Sequence, residues 1–192
     1  MLLATYAIAT LTIEQKCERT AIRRLQESMD QALASDEFDF PALAIQSERL
    51  IELAESLHWR RLENCLIPAL REASNDALLF LQALENLGRA GVDMLPLLRT
   101  ALLPAPAPCQ QQIARACGTV NSYCQNLLQR LAFEEQQLLP LAQRLLATDA
   151  WFRVGTAFLQ QDAQNRPVCG NLAAAKAIAP FYVDLVQRFV RK

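Results

Sequence analysis

The feature that most constrains the fold is a long run of regularly spaced apolar residues between positions 109 and 147. Apolar residues or cysteines recur there in alternating steps of four and three, interrupted only by Glu134. This spacing places the side chains on one face of a helix, and so long a seam is typical of helical bundles. The seam positions are Ile113, Cys117, Val120, Cys124, Leu127, Leu131, Glu134, Leu138, Leu141 and Leu145.

The other segments also show helical periodicity, and we expect helices over about residues 3–34, 41–71 and 74–103. In the second of these, spacing predicts a common buried face. In the third, Gly88 and Gly91 should interrupt the helix, and the prolines at 104–108 should form an extended linker. The predicted face of the second helix consists of Ile51, Ala54, His58, Leu62, Cys65 and Ala69.

Four long amphipathic helices with short connections predict an all-α fold, an antiparallel four-helix bundle over residues 1–148. Residues 149–192 should form a C-terminal helical extension, with one helix through Trp151 and a last helix over residues 171–191. The formal net charge is -1 and no basic cluster is present, which argues against nucleic-acid binding. We find no signal peptide or membrane span in the sequence, so we expect a cytoplasmic protein.

The chain contains one histidine, His58, although histidine is the most frequent group in acid–base catalysis and in many metal sites. We find no Ser/His/Asp set, phosphate loop or suitably spaced carboxylate pair. The sequence therefore predicts a protein that is not an enzyme and holds no cofactor. A lone histidine on a helix face is more often a hydrogen-bonded core residue than a ligand.

The six cysteines form no CxxC pair, and most are expected to pack as small hydrophobic residues. Two alternatives stay open. One is a thiol switch at Cys109 or Cys169, both in or beside loops. The other is a residual metal site for sensing iron, oxygen or redox state. That site would use His58 and Glu134 with some of Glu63, Cys65, Cys117 and Cys124.

Glu134 is the one charged residue in the seam, because its neighbours along the seam are apolar residues or cysteines. A buried carboxylate is costly unless it finds a partner. Either the side chain reaches solvent or Arg130 one turn back, or it is a present or former metal ligand in a bundle core.

Two segments resemble the hemerythrin-like domain family. Residues 133–142, FEEQQLLPLA, resemble the EE-x-x-LLPLA end of that family's fourth helix. Residues 63–70, ENCLIPAL, resemble the E-x-x-LFPAL segment of its second helix. The resemblance covers about residues 11–154. It implies a four-helix bundle that in relatives holds two irons through histidines and bridging carboxylates.

Most of the implied ligands are substituted. His58 matches the second-helix histidine, but Leu62 stands where the bridging acid belongs. Glu134 matches the fourth-helix acid, but Arg130 replaces its histidine. The other two histidines would fall near Arg19 and near residues 75–76. Leucine and a permanently charged guanidinium cannot coordinate metal, so the resemblance implies a degenerate member without a metal centre. Arg130 should instead pair with Glu134.

A retained scaffold without ligands suggests a non-catalytic accessory factor that binds another protein. Exposed members of an aromatic set could anchor that partner. By analogy with the microbial groups in which the family occurs, the partner would be an oxygen-sensitive redox metalloenzyme such as nitrogenase, in nitrogen fixation. The aromatic candidates are Trp151, Phe152, Phe181 and Tyr182.

Overall fold

The computed structural model describes residues 2–33, 38–55, 61–103 and 109–165. Within these ranges the chain is all-helical and contains no strand. The chain divides into two compact units, Met1–Thr156 and Ala157–Lys192. The predicted last helix over residues 171–191 lies outside the described residues. In the described part, no helix has a stretch long and apolar enough to cross a membrane.

Seven α-helices follow one another in the described ranges, and two of them are preceded by a π-helical turn. The first π turn, Leu62–Leu66, leads into the helix that begins at Ile67, and the second, Glu134–Leu138, joins the helix that ends at Phe133 to the one that begins at Leu139. The helices are α1 (Leu2–Leu33), α2 (Phe40–Glu55), α3 (Ile67–Ala73), α4 (Leu78–Ala101), α5 (Gln110–Phe133), α6 (Leu139–Leu145) and α7 (Thr148–Asn165).

Short polar residues begin two of the helices as N-caps. The Asp39 carboxylate accepts a hydrogen bond from the Ala42 N–H at 2.9 Å, just before α2, and Pro41 lies in the first turn, where its missing N–H costs the helix nothing. Ser74 has an extended backbone, and its hydroxyl oxygen accepts from the Asp76 N–H at 3.1 Å. Ser74 thereby starts the 3₁₀ turn Asn75–Ala77 that leads into α4.

Both π turns lie immediately before a Leu/Ile-Pro pair. The Ile67 N–H donates to the Leu62 carbonyl, and the Leu139 N–H donates to the Glu134 carbonyl, each five residues earlier. The next residue, Pro68 or Pro140, has no N–H and its ring crowds the preceding turn of a regular helix. A local π turn is a recognised way for a helix to continue past such a disruption.

Beyond the first π turn, the buried face differs from the one predicted for the second helix. Leu62 is buried as predicted, but Cys65 and Ala69 are only half-buried. A π turn takes more residues than an α-turn, so it rotates the following residues relative to a regular helix. The buried positions after Leu62 are therefore Leu66, Ile67 and Leu70.

The predicted interruption at Gly88 and Gly91 is wrong, because α4 runs through both glycines to Ala101. Gly91 is buried where α4 packs against α5, and a Cβ atom there would lie 2.8 Å from the Asn126 Oδ1. The Asn126 amide donates to the Leu87 carbonyl at 3.2 Å, across the same interface. Gly91 therefore permits a close helix approach and does not end the helix.

The long seam of α5 and its continuation lies in the interior almost throughout. Eight of its ten positions are buried, and only the end positions, Ile113 and Leu145, are half-buried. The helix is not regular over this length, because the π turn Glu134–Leu138 interrupts it. α5 packs chiefly against α4 and also against α1, and these two helices together with α2 supply most of the rest of one hydrophobic cluster.

A glycine on α7 provides a test of close packing against α1. A Cβ atom at Gly155 would lie 2.7 Å from the Leu3 Cβ and 2.8 Å from the Leu3 carbonyl oxygen. Backbone cannot yield as a side-chain tip can, so Gly155→Ala should destabilise the protein by about 1–3 kcal/mol, measured by urea unfolding.

The matched control for Gly155→Ala is Gly118→Ala in α5. A Cβ atom at Gly118 meets no heavy atom within 4 Å. Alanine has the higher helix propensity, so this variant should gain about 0.5–1 kcal/mol. Equal effects of the two substitutions would contradict the close approach of α7 to α1.

Candidate functional site

Polar side chains occupy the middle of the buried face of α1, where apolar residues would be expected. Glu14, Gln15 and Glu18 lie within little more than one turn, and all three are buried. Apolar residues continue the same face on both sides, with Leu11 before and Ile22 after. Buried carboxylates require partners, and the facing segments supply them.

Arg61, the residue before the first π turn, supplies one partner. Its guanidinium forms a salt bridge with the Glu14 carboxylate, and both side chains are at least nine-tenths buried. Arg61 is among the largest fully buried side chains in the described part of the molecule. The pair connects α1 to the start of the segment that leads into α3.

Arg130 in α5 supplies the second partner. Its Nη2 donates to the Glu18 Oε1 at 2.7 Å, and its Nε lies 3.5 Å from the Glu134 Oε1 one turn later in the chain. The Glu134 Oε2 also accepts a hydrogen bond from the Gln15 Nε2 at 3.2 Å. One guanidinium thus serves two carboxylates, and a neutral amide completes the set.

Two sets of contacts, which meet at the adjacent residues Glu14 and Gln15 of α1, make up what we call the buried ionic cluster. It contains Glu14, Gln15, Glu18, Arg61, Arg130 and Glu134. Burial of charge in a low-dielectric interior is costly, and close pairing with hydrogen bonds offsets much of the cost. Removal of one partner would leave an uncompensated charge inside the molecule.

The residues singled out from the sequence are placed as follows. Glu134 is 0% exposed and Leu62 is equally buried, so Glu134 does not reach solvent. The expected pairing of Arg130 with Glu134 is present, although Glu18 is the nearer partner of Arg130. Glu63 is exposed. His58, Cys169, Phe181 and Tyr182 lie outside the described residues.

The two described aromatic candidates on α7 differ in exposure. Trp151 is buried, whereas Phe152 is 62% exposed. Arg153, the next residue, forms an exposed ion pair with Glu72 at 3.3 Å. Of this pair of aromatic residues, only Phe152 presents a largely accessible ring.

The sequence interpretation missed four members of the cluster, but a signal for two of them was present. The apolar positions of α1 leave a gap between Leu11 and Ile22, and the 3–4 spacing places Glu14 and Glu18 in that gap. Nothing comparable marks Gln15. Arg61 lies in a helix whose buried face changes at the π turn, so its burial does not follow from regular periodicity.

Three cysteines of the described residues have thiols whose ionised form is disfavoured. Burial raises the pKa of Cys124 from 9.0 to about 12. Burial, with a smaller contribution from the Asp30 carboxylate, raises the pKa of Cys117. Burial and then the Glu14 carboxylate raise the pKa of Cys17. A raised pKa disfavours the thiolate, which is the form that binds metal and attacks disulfides.

The donor set of the cluster does not fit a transition-metal centre. Guanidinium groups bond to Glu14 and Glu18, and Glu134 is held between Arg130 and the Gln15 amide. A metal ion would have to displace fixed positive charges that cannot deprotonate. Within the described ranges, no three His, Cys, Asp or Glu side chains are grouped so that they could hold a metal ion.

Comparison with known proteins gave no match. No protein-family model matched the chain, and neither a curated protein nor a solved structure was significantly similar to it.

The energetic role of the cluster is testable at Arg130. Arg130→Ala leaves the buried Glu18 and Glu134 carboxylates without their shared guanidinium. The free energy of unfolding should fall by about 3–5 kcal/mol, as for other broken buried pairs. Chemical denaturation followed by circular dichroism measures the change.

Arg19→Ala is the matched control, because Arg19 also joins α1 to the second π turn through Glu135, at 2.8 Å, but at the surface. Exposed pairs contribute little, so this variant should lose no more than about 1 kcal/mol. Losses of similar size in both variants would show that burial does not set the strength of the Arg130 interactions.

Alkaline stability tests the environment of Cys124. Between about pH 9 and pH 12 the unfolded thiol ionises while the folded thiol keeps its proton. The unfolded state then binds fewer protons, so stability falls as the pH rises, by up to about 1.4 kcal/mol per pH unit for one group. Cys124→Ala should make this fall shallower in urea titrations at pH 8, 9 and 10.

Cys109→Ala is the control for the alkaline experiment, since Cys109 is exposed at the start of α5. It should keep the wild-type dependence on pH. A Cys124→Ala variant with that same dependence would contradict the assigned burial of the thiol.

Proposed function

We propose that the chain is a hemerythrin-like antiparallel four-helix bundle in which buried ion pairs replace the metal centre, and that it acts without catalysis by binding another protein. Two sequence segments resemble that family, and the buried ionic cluster lies where the resemblance places the metal ligands. In this proposal the ion pairs of the interior stabilise the fold, and the surface binds the partner protein.

The observation that carries the proposal is the position of Arg130. In the resemblance, Arg130 replaces a histidine ligand four residues before the acid Glu134. Its guanidinium lies in the interior and bonds to Glu18 as well as approaching Glu134. A fixed positive charge at this position neutralises the carboxylate and competes with any cation. This supports loss of the metal site over its retention.

The local structure of the two resembling segments supports their equivalence. Leu62 and Glu134 are each the first residue of a π turn, and each turn ends one residue before a Leu/Ile-Pro pair. Both side chains are completely buried. Leu62 therefore occupies in its segment the position that Glu134 occupies in the other, as the proposed loss of a bridging acid requires.

Recognition by the surface is the use that remains for such a scaffold. Phe152 offers an exposed aromatic ring beside the charged pair Arg153–Glu72, and exposed aromatic residues with a polar rim often anchor protein contacts. A redox metalloenzyme such as nitrogenase is the partner proposed from the resemblance.

Metal content tests the first half of the proposal. Protein purified without oxygen from iron-replete cells should be colourless and helical, with far less than one iron per chain. The buried guanidinium groups compete with any cation for the carboxylates of the cluster. Metal analysis and visible absorption, with a hemerythrin purified in parallel as the positive control, give the answer. Two irons per chain with an oxo-bridge absorption band would refute it.

Site-specific capture tests the second half. After crosslinking in cells, wild-type protein should retain one discrete partner. The amount of that partner recovered with Phe152→Ser should be at least about tenfold lower, as expected for loss of an aromatic anchor. Ile45→Ser, which alters a similarly exposed residue on α2, serves as the control and should retain it fully. Equal retention by both variants, or no discrete partner, would count against protein binding through Phe152.

A further inference from the structure

The buried seams of α1 and α5 both repeat with a near-heptad period. Successive seam positions on α1 are four or three residues apart, with two consecutive steps of four from Glu14 to Ile22. On α5 the steps of three and four residues alternate strictly. The seam of α1 consists of Ala7, Leu11, Glu14, Glu18, Ile22, Leu25 and Met29, with the buried Gln15 beside it, and the seam of α5 includes Cys117, Val120, Cys124, Leu127 and Leu131. Apolar seams of this kind can pack in more than one register, because each heptad presents a similar surface.

Side-chain contacts define the register that the molecule adopts. Gln15 bonds to Glu134, Glu18 to Arg130, and Gln26 to Asn121, the last at 3.0 Å. Residue numbers rise along α1 as they fall along α5, so the two helices are antiparallel. The contacts fall in one consistent alignment from Asn121 to Glu134, over the C-terminal half of α5 and the start of the π turn that follows.

A shift of α1 by seven residues would again place several apolar side chains of α1 opposite the α5 seam, but it would break the ionic contacts. Arg130 would then face Leu11 or Leu25 in place of Glu18. A buried guanidinium and a buried carboxylate would each lose a partner, which is among the most costly changes in an interior. Apolar positions elsewhere on the seam do not distinguish the alignments in this way.

We propose that the interaction of Glu18, Arg130 and Glu134 sets the register of α1 against α5, and that the molecule retains these charges for alignment at a cost in stability. A polar residue at one seam position specifies register in coiled coils by the same physics. The inference concerns the fold itself and holds whether or not a partner binds.

The test measures a distance between the two helices. Nitroxide labels attached through ketone-bearing residues at the exposed positions Glu27 and Ser122 leave the native cysteines unchanged. Pulsed dipolar spectroscopy should give one narrow distance distribution for the otherwise wild-type protein. A seven-residue shift moves a label by about 10 Å along the helix axis, which the method resolves.

The informative variant replaces the cluster by apolar side chains of similar size, Gln15→Leu, Glu18→Leu, Arg130→Met and Glu134→Leu. It should show a second distance population or a clearly broadened one. Its unfolding equilibrium constant should be about tenfold smaller or lower still, since apolar replacement of buried ion pairs is often stabilising.

The control variant, Arg19→Gln with Glu135→Gln, removes the exposed ion pair between the same elements and should keep the single distance. If the apolar variant does not fold, a neutral but still polar variant takes its place. It combines Glu18→Gln, Arg130→Met and Glu134→Gln, and it too should show a second or broadened distance population. A single wild-type distance in the variant measured overturns the proposal. Failure of both variants to fold also overturns it, because the charges would then be needed for folding itself.

Discussion

The interior of this molecule depends on one guanidinium shared by two carboxylates. Arg130 bonds to Glu18 across the helix interface and approaches Glu134 along its own helix, and all three side chains are buried. Such a group is stable only while every partner remains in place. It therefore ties the position of α1 to the second π turn, and the Arg61–Glu14 pair extends the same constraint to the segment before α3.

The two prolines explain why the helices that carry this cluster are irregular. Pro68 and Pro140 each follow a π turn by two residues, and the turns contain the buried Leu62 and Glu134 as their first residues. The interruption changes which side of the helix faces inward. The interior beyond each turn is apolar again, with Ile67 and Leu70 after the first turn and Leu139 and Leu141 after the second.

The parts of this structure that the sequence could predict are those that follow regular helical periodicity and local capping rules. The seam of α5 and the caps at Asp39 and Ser74 depend on local rules that hold in any helix, and the all-helical fold follows from them. The face of the second helix was mispredicted at Cys65 because a π turn is a response to local strain and tertiary packing that 3.6-residue periodicity does not contain. Gly91 was mistaken for a break because its role depends on Asn126, thirty-five positions later in the chain.

The candidate site was predictable only where a charge interrupted an apolar seam. Glu134 was found in this way, and Glu14 and Glu18 carry the same signal on α1, but no pattern in one helix reveals which residue of another will neutralise it. That information lies in the alignment of the helices, and the ionic contacts are themselves part of what distinguishes one alignment from another. A guanidinium that pairs with two carboxylates offsets much of the cost of their burial. Phe152, by contrast, lies on the surface and is exposed.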